Sequence, residues 1–178
     1  IAHPAKEAPR PAPLSANADP ADRFIETVAT LSADDMEGRG PGTRGMQKAE
    51  DFVEEQFRAI GLKPFFPQSG SSRRLSYRQE IQIRLKDAQK KERIELSHNI
   101  VGTWGGGCGR VAPVIVGAHL DHLGYGSENS LEAPGSSKIH PGADDNASGV
   151  AAVLEAARMI ARESGQARGQ CYVFAAFT

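Results

Sequence analysis

The stretch VIVGAHLDHLG, residues 114–124, decides how the chain folds. Its apolar, β-branched opening, Val114, Ile115 and Val116, has the composition of a strand. That run stops abruptly at three titratable side chains, His119, Asp121 and His122. A second continuous apolar run, CYVFAAFT at 171–178, has the same character. Between the two lies SGVAAVLEAARMIARESG, in which Val150, Val153, Leu154, Ala157 and Ile160 fall on one helical stripe. Strand, helix and strand in this order make a parallel crossover, and continuously apolar strands suit a sheet covered on both faces. The expected fold class is α/β: three layers, α/β/α, built on a mostly parallel mixed sheet.

Toward the N-terminus the pattern changes. In DPADRFIETVATLS, Asp19 suits an N-cap, Pro20 suits the first helical position, and Phe24, Val28 and Leu31 share a face. EGRGPGTRG then interrupts, before Met46, Ala49, Phe52, Val53, Phe57 and Ile60 mark a second amphipathic helix stopped by Gly61. The Glu, Gln, Lys and Arg of that helix are read as its solvent face. Ile81, Ile83 and Leu85 alternate with polar residues, as in an edge or near-edge strand. KDAQKK is the expected turn, RIEL the partner strand, and HNIVGTW a further short strand. Residues 1–18, rich in proline and alanine, read as a flexible lead-in to one domain over 19–178.

Composition narrows the function classes. At 39% hydrophobic and 24% charged, 178 residues can bury one full core. With 21 basic against 22 acidic residues there is no net field to attract nucleic acid or an anionic membrane. No apolar run approaches the roughly 20 residues that a membrane-spanning helix needs, and the locally basic SSRRLSYR reads as a solvated loop. Cys108 and Cys171 suggest neither a disulfide framework nor a close-spaced metal pair. WGGGCGR precedes a strand instead of joining strand to helix, the wrong context for a phosphate loop. No serine sits in a G-x-S-x-G elbow.

In open parallel sheets ligands bind beyond the carboxyl ends of the strands, where His119 and Asp121 lie. Residues two apart on an extended chain point the same way. Asp121 can therefore accept the second ring N–H of a metal-ligating His119 and fix its tautomer. The same spacing also fits a histidine hydrogen-bonded to a carboxylate with no metal. In GADDNASG, Asn146 or Ser148 would suffice as a cap, so the adjacent Asp144 and Asp145 exceed what the helix requires. One such carboxylate could ligate a metal, and its two oxygens could bridge two ions; two solvated aspartates in a loop are the alternative. His122 and His140 flank this place, on its rim or in solvent.

GAHLDHLG, then PGADDNASGVAAVLEAAR, then CYVFAAFT resemble the central part of the di-zinc aminopeptidases related to bacterial leucyl aminopeptidases. Upstream, LSADDMEGRGPGTRGMQKAEDFVEEQFRAIGLKPF is similar to the N-terminal helical segment of the same secreted enzymes. The resemblance runs from about residue 22 to 178. It implies that His119 binds one zinc, that Asp121 supports it in catalysis, that Asp145 bridges two zinc ions, and that Asp144 is loop and cap. The implied activity is hydrolysis of N-terminal residues from peptides with a free N-terminus, in a secreted or periplasmic protein. Members of this family also use a Glu-Glu pair directly after the strand matching VFAAFT, and later an acidic and a histidine ligand. None of these stands in the 178 residues, so the chain is expected to be the N-terminal part of a zinc peptidase domain, inactive without the C-terminal portion. Glutaminyl cyclases share the architecture with one zinc, and ADDNASG does not exclude them. A non-catalytic α/β binding domain that keeps the motif without metal is the rival from another class.

Overall fold

The computed structural model describes residues 14–68, 71–86, 92–126, 138–163 and 169–178. The turn expected at KDAQKK falls, from residue 87 on, outside the described residues, as do residues 1–13 of the lead-in.

Asp19 accepts from the Ala21 amide at 2.8 Å and Pro20 opens helix α1, Pro20–Leu31. The helix buries Arg23, Thr27 and Leu31, leaving the expected Phe24 and Val28 only half-buried. An arginine fits there because Glu155 answers it twice, Nε to Oε1 at 3.0 Å and Nη2 to Oε2 at 2.7 Å. Arg23 also donates to the carbonyls of Ala16 and Ala18, while the Leu14 amide donates to Gln56 Oε1 at 3.2 Å. Within the described end of the lead-in, the backbone of Leu14, Ala16 and Ala18 thus partners buried polar groups.

A short 3-10 segment, Asp34–Arg39, leads to α2, Arg44–Ile60, which starts under a Thr43 cap and ends at Gly61 with φ 87°. Strands β1 (Lys63–Pro64), β2 (Phe66–Gln68), β3 (Ser71–Ser76), β4 (Arg78–Lys86), β5 (Glu92–Trp104) and β6 (Val114–His119) follow, then α3 (Ser148–Arg162) and β7 (Tyr172–Phe177). Four strands lie in the order β1-β5-β7-β6, β4 also pairs with β5, and β2 and β3 form a separate ribbon. No helix among the described residues is long and apolar enough to cross a membrane.

The α/β class holds, and the crossover through α3 makes β6 and β7 parallel, Val114 opposite Tyr172 through His119 opposite Phe177. The other described pairings in this sheet, β1–β5, β4–β5 and β5–β7, are antiparallel, so only one described pairing is parallel: β4 and β5 are consecutive strands, and β7 meets β5 across the crossover. RIEL and HNIVGTW are one continuous strand, β5, since β4 pairs along its first nine residues and β7 along its last five. Ile100, Phe174 and Ala176, alternate residues of one sheet face, join Leu31, Phe52, Phe57, Val150 and Leu154 in a single core. The other face is bare at the β6 edge, with Ile115 63% and Phe177 42% exposed, so these apolar runs are not covered on both faces here.

Three further readings change. Part of SSRRLSYR is strand β3, and its Arg78 bridges Glu50 at 3.0 Å, Asp51 at 2.5 Å and Glu54 at 2.6 Å. The polar face of α2 is accordingly wet only in part, with Gln47, Lys48 and Arg58 exposed and Glu50, Glu54 and Gln56 buried. Glu50 is 1% exposed and accepts from Ser97 Oγ and the His98 amide, because the helix lies against β4 and β5. Cys108 and Cys171 form a disulfide. They are 63 residues apart in sequence, but the pairing of Trp104 with Tyr172 draws the loop after β5 to the start of β7, and their Cα atoms stand 4.6 Å apart.

Candidate metal centre

The carboxyl end of β6 delivers His119, and the loop before α3 delivers Asp145 to meet it. His119 Nε2 lies 3.1 Å from Asp145 Oδ1. On the other side of the ring, Nδ1 lies 3.1 Å from the main-chain carbonyl of Asp121 and 3.7 Å from its Oδ1. Asp121, whose carboxylate was expected to accept the second ring N–H, lies on this side of His119 with its main-chain carbonyl as the nearer acceptor. Asp144 makes no such approach; its main-chain carbonyl accepts from Ser148 Oγ at 2.9 Å. Asn146 Oδ1 accepts the Gly149 amide at 3.0 Å, the capping role expected of Asn146 or Ser148. The Asp145–Asn146 peptide is cis.

Sequence reasoning missed two participants. His122, expected on the rim or in solvent, has a side chain only 13% exposed, with Nδ1 3.6 Å from Asp145 Oδ2. Burial pushes its pKa down; Asp145 opposes the shift, while Arg39, His140 and His119 add to it. The second participant is Arg39, inside the glycine-rich EGRG that sequence alone marks only as an interruption. It is fully buried beneath both loops, with a φ of 49°. A signal was present: a long cation flanked by glycines is a place where backbone can approach a side chain closely. Around it, the His122 amide donates to the Arg39 carbonyl at 3.0 Å and the Gly124 amide to Gly38 at 3.0 Å.

Ligand atoms on a tetrahedral zinc, with bonds of about 2.0–2.2 Å, sit roughly 3.3 Å from one another. The 3.1 Å between His119 Nε2 and Asp145 Oδ1 is close to that edge length, and an imidazole with a carboxylate is a donor set zinc accepts. The pair fits the ion. It remains a pair: among the described residues no group of three or more His, Cys, Asp or Glu is arranged to hold a metal.

Residues 99–178 match the model of Peptidase family M28. This M28-like segment contains the end of β5, all of β6, α3 and β7, and both members of the His119–Asp145 pair. No curated protein is a significant match to the sequence. Among solved structures, a glutaminyl cyclase from Fimbriiglobus ruber superposes with a TM-score of 0.63 at 23% identity, over 99% of this chain and 49% of that one. A leucine aminopeptidase precursor from Bacteroides thetaiotaomicron gives 0.59 at 18%, over 89% and 46%. An aminopeptidase from an Aneurinibacillus strain gives 0.56 at 16%, over 88% and 62%. The chain thus spans about half the length of the first two. At these identities the likeness is one of fold.

Proposed function

We propose that the protein is the metal-binding part of a zinc-dependent aminopeptidase that removes N-terminal residues from peptides. The observation that carries this is the division of Asp145: Oδ1 faces His119 Nε2 at 3.1 Å while Oδ2 is turned toward His122, 3.6 Å away. A carboxylate so placed has one oxygen for the metal position beside His119 and another for a second position. In this reading His119 and Asp145 would hold zinc, Asp121 would orient the imidazole, and His122 stands beside the far oxygen of Asp145. When bound, zinc supplies an acidified water and a polarised scissile carbonyl. Two protein ligands are fewer than the three a catalytic zinc normally takes, so we assign the remaining ligands and the proton acceptor to the rest of the domain. The Cys108–Cys171 disulfide supports a secreted or periplasmic location, since such bonds persist in oxidising compartments.

The similarity to glutaminyl cyclases favours a second reading, cyclisation of an N-terminal glutamine around a single zinc. One experiment separates the two. The 178-residue chain and a chain extended beyond Thr178 are loaded with zinc and assayed on an aminoacyl-nitroanilide and on an N-terminal glutaminyl peptide. The expected result is turnover of the nitroanilide by the extended chain with two zinc ions bound, and background rates from the short one. Turnover of the glutaminyl peptide alone, with one zinc, would replace the aminopeptidase reading by the cyclase. Full activity from the short chain would overturn the ligand assignment.

A further inference from the structure

Among the described residues, the Arg39 guanidinium donates to main-chain carbonyls. Nε donates to the Leu120 carbonyl at 2.7 Å, Nη1 to Leu31 at 2.5 Å and Pro141 at 2.8 Å, and Nη2 to Gly142 at 2.7 Å. Leu120 follows His119 directly, and Gly142 stands three residues before Asp145. One rigid, planar fork is therefore bonded to the loop that carries each side of the pair, with a third anchor at the end of α1. A buried cation surrounded by carbonyls is costly to form and leaves several acceptors unsatisfied when it is removed. Burial lowers the guanidinium pKa, with Asp121 and Asp145 opposing that shift, so the charge also lies within the field of the pair. No apolar or shorter side chain could join these carbonyls, and the Gly142 position is closed to any Cβ, which would fall 2.6 Å from Arg39 Nη2.

We propose that Arg39 is a positioning residue that holds the His119 loop and the Asp145 loop at metal-binding separation. This rests on the ligand reading above. It makes zinc affinity depend on a side chain that touches no metal, and it makes the two loops open together when the fork is lost.

The test compares Arg39→Met and Arg39→Lys with Arg23→Met and Arg23→Lys, which alter an equally buried arginine that clamps α1 to α3 through Glu155. In the zinc-free 178-residue chain, hydrogen exchange is followed at amides 119–124 and 142–149, and zinc binding is measured by calorimetry. Replacing Arg39 is expected to remove protection from both loops at once and to weaken zinc binding roughly 10–100-fold, the range for groups that orient ligands. Lysine at 39, with one ammonium, is expected to keep the fold yet fail to hold both loops. The Arg23 variants should lower stability with wild-type protection at both loops. Loss of protection in only one loop, or in neither, for the Arg39→Lys chain would overturn the proposal. Should neither the wild-type chain nor the chain extended beyond Thr178 bind zinc, the ligand reading fails, while the exchange data still decide the clamp.

Discussion

His119 has two acceptors behind it, and their order has a consequence. The Asp121 carbonyl, at 3.1 Å from Nδ1, fixes the ring tautomer through the main chain, whereas the carboxylate stands at 3.7 Å. Asp121→Asn keeps that carbonyl, so its cost in zinc affinity is expected at the lower end of the 10–100-fold range for groups that orient ligands. His119→Ala and Asp145→Ala, which each remove half of the pair, should abolish measurable binding in the 178-residue chain by calorimetry; Asp144→Asn should leave it unchanged. At Gly142, φ is 62° and an added Cβ would come within 2.5 Å of the Asp145 carbonyl oxygen and 2.6 Å of Arg39 Nη2. Gly142→Ala should therefore cost more than the roughly 1–2 kcal/mol of left-handed backbone alone, and lower melting temperature and zinc affinity together. That His119 and the Asp144–Asp145 pair lie close together was legible from a strand end and a helix start, while the choice of Asp145 over Asp144 came from the family resemblance alone. Arg39 was passed over despite its flanking glycines, since the carbonyls it binds, at the end of α1 and in the loops holding Leu120 and Pro141–Gly142, come together only in the fold.

Among the elements, α2 shows what amphipathic reading misses. Its apolar residues were found from their spacing, and Phe52, Val53 and Phe57 are in the core. Its charged side was assigned to water because periodicity separates polar from apolar and says nothing of what the polar side meets. Arg78, delivered by β4, turns that side into an ion-pair cluster with Glu50, Asp51 and Glu54. Burial alone would raise the Glu54 pKa, but hydrogen bonds from Arg58 and Arg78 outweigh it and set it below the ordinary 4.5. The folded state thus binds this proton less readily than the unfolded chain. The associated stability is complete above the unfolded value and is lost as pH falls through the lower folded one. Acid unfolding followed by circular dichroism should accordingly be steeper below about pH 4.5 in the wild type than in Glu54→Gln. Equal slopes would show that the cluster contributes nothing through Glu54.

For the whole molecule, the crossover of β6, α3 and β7 was readable from two apolar runs and the stripe between them. The placement of β7 beside β5 was not, because antiparallel neighbours brought together across the intervening crossover share no sequence signal. The same neighbourhood hid the disulfide. It closes a separation of 63 residues, and disulfides closing loops of that order stabilise by about 2–5 kcal/mol, largely by restricting the unfolded chain. Cys108→Ser should lower the denaturation midpoint accordingly, and a reductant should bring the wild type to the same value while leaving the variant unmoved. The sheet also has a practical side for anyone handling the protein. Ile115 on β6 and Phe177 on the neighbouring β7 are exposed, and β6 ends the strand order among the described residues. Such a border can accept a strand from another molecule, so light scattering from the short chain should climb with concentration and on storage. A lysine at position 115 is expected to keep the solutions clear.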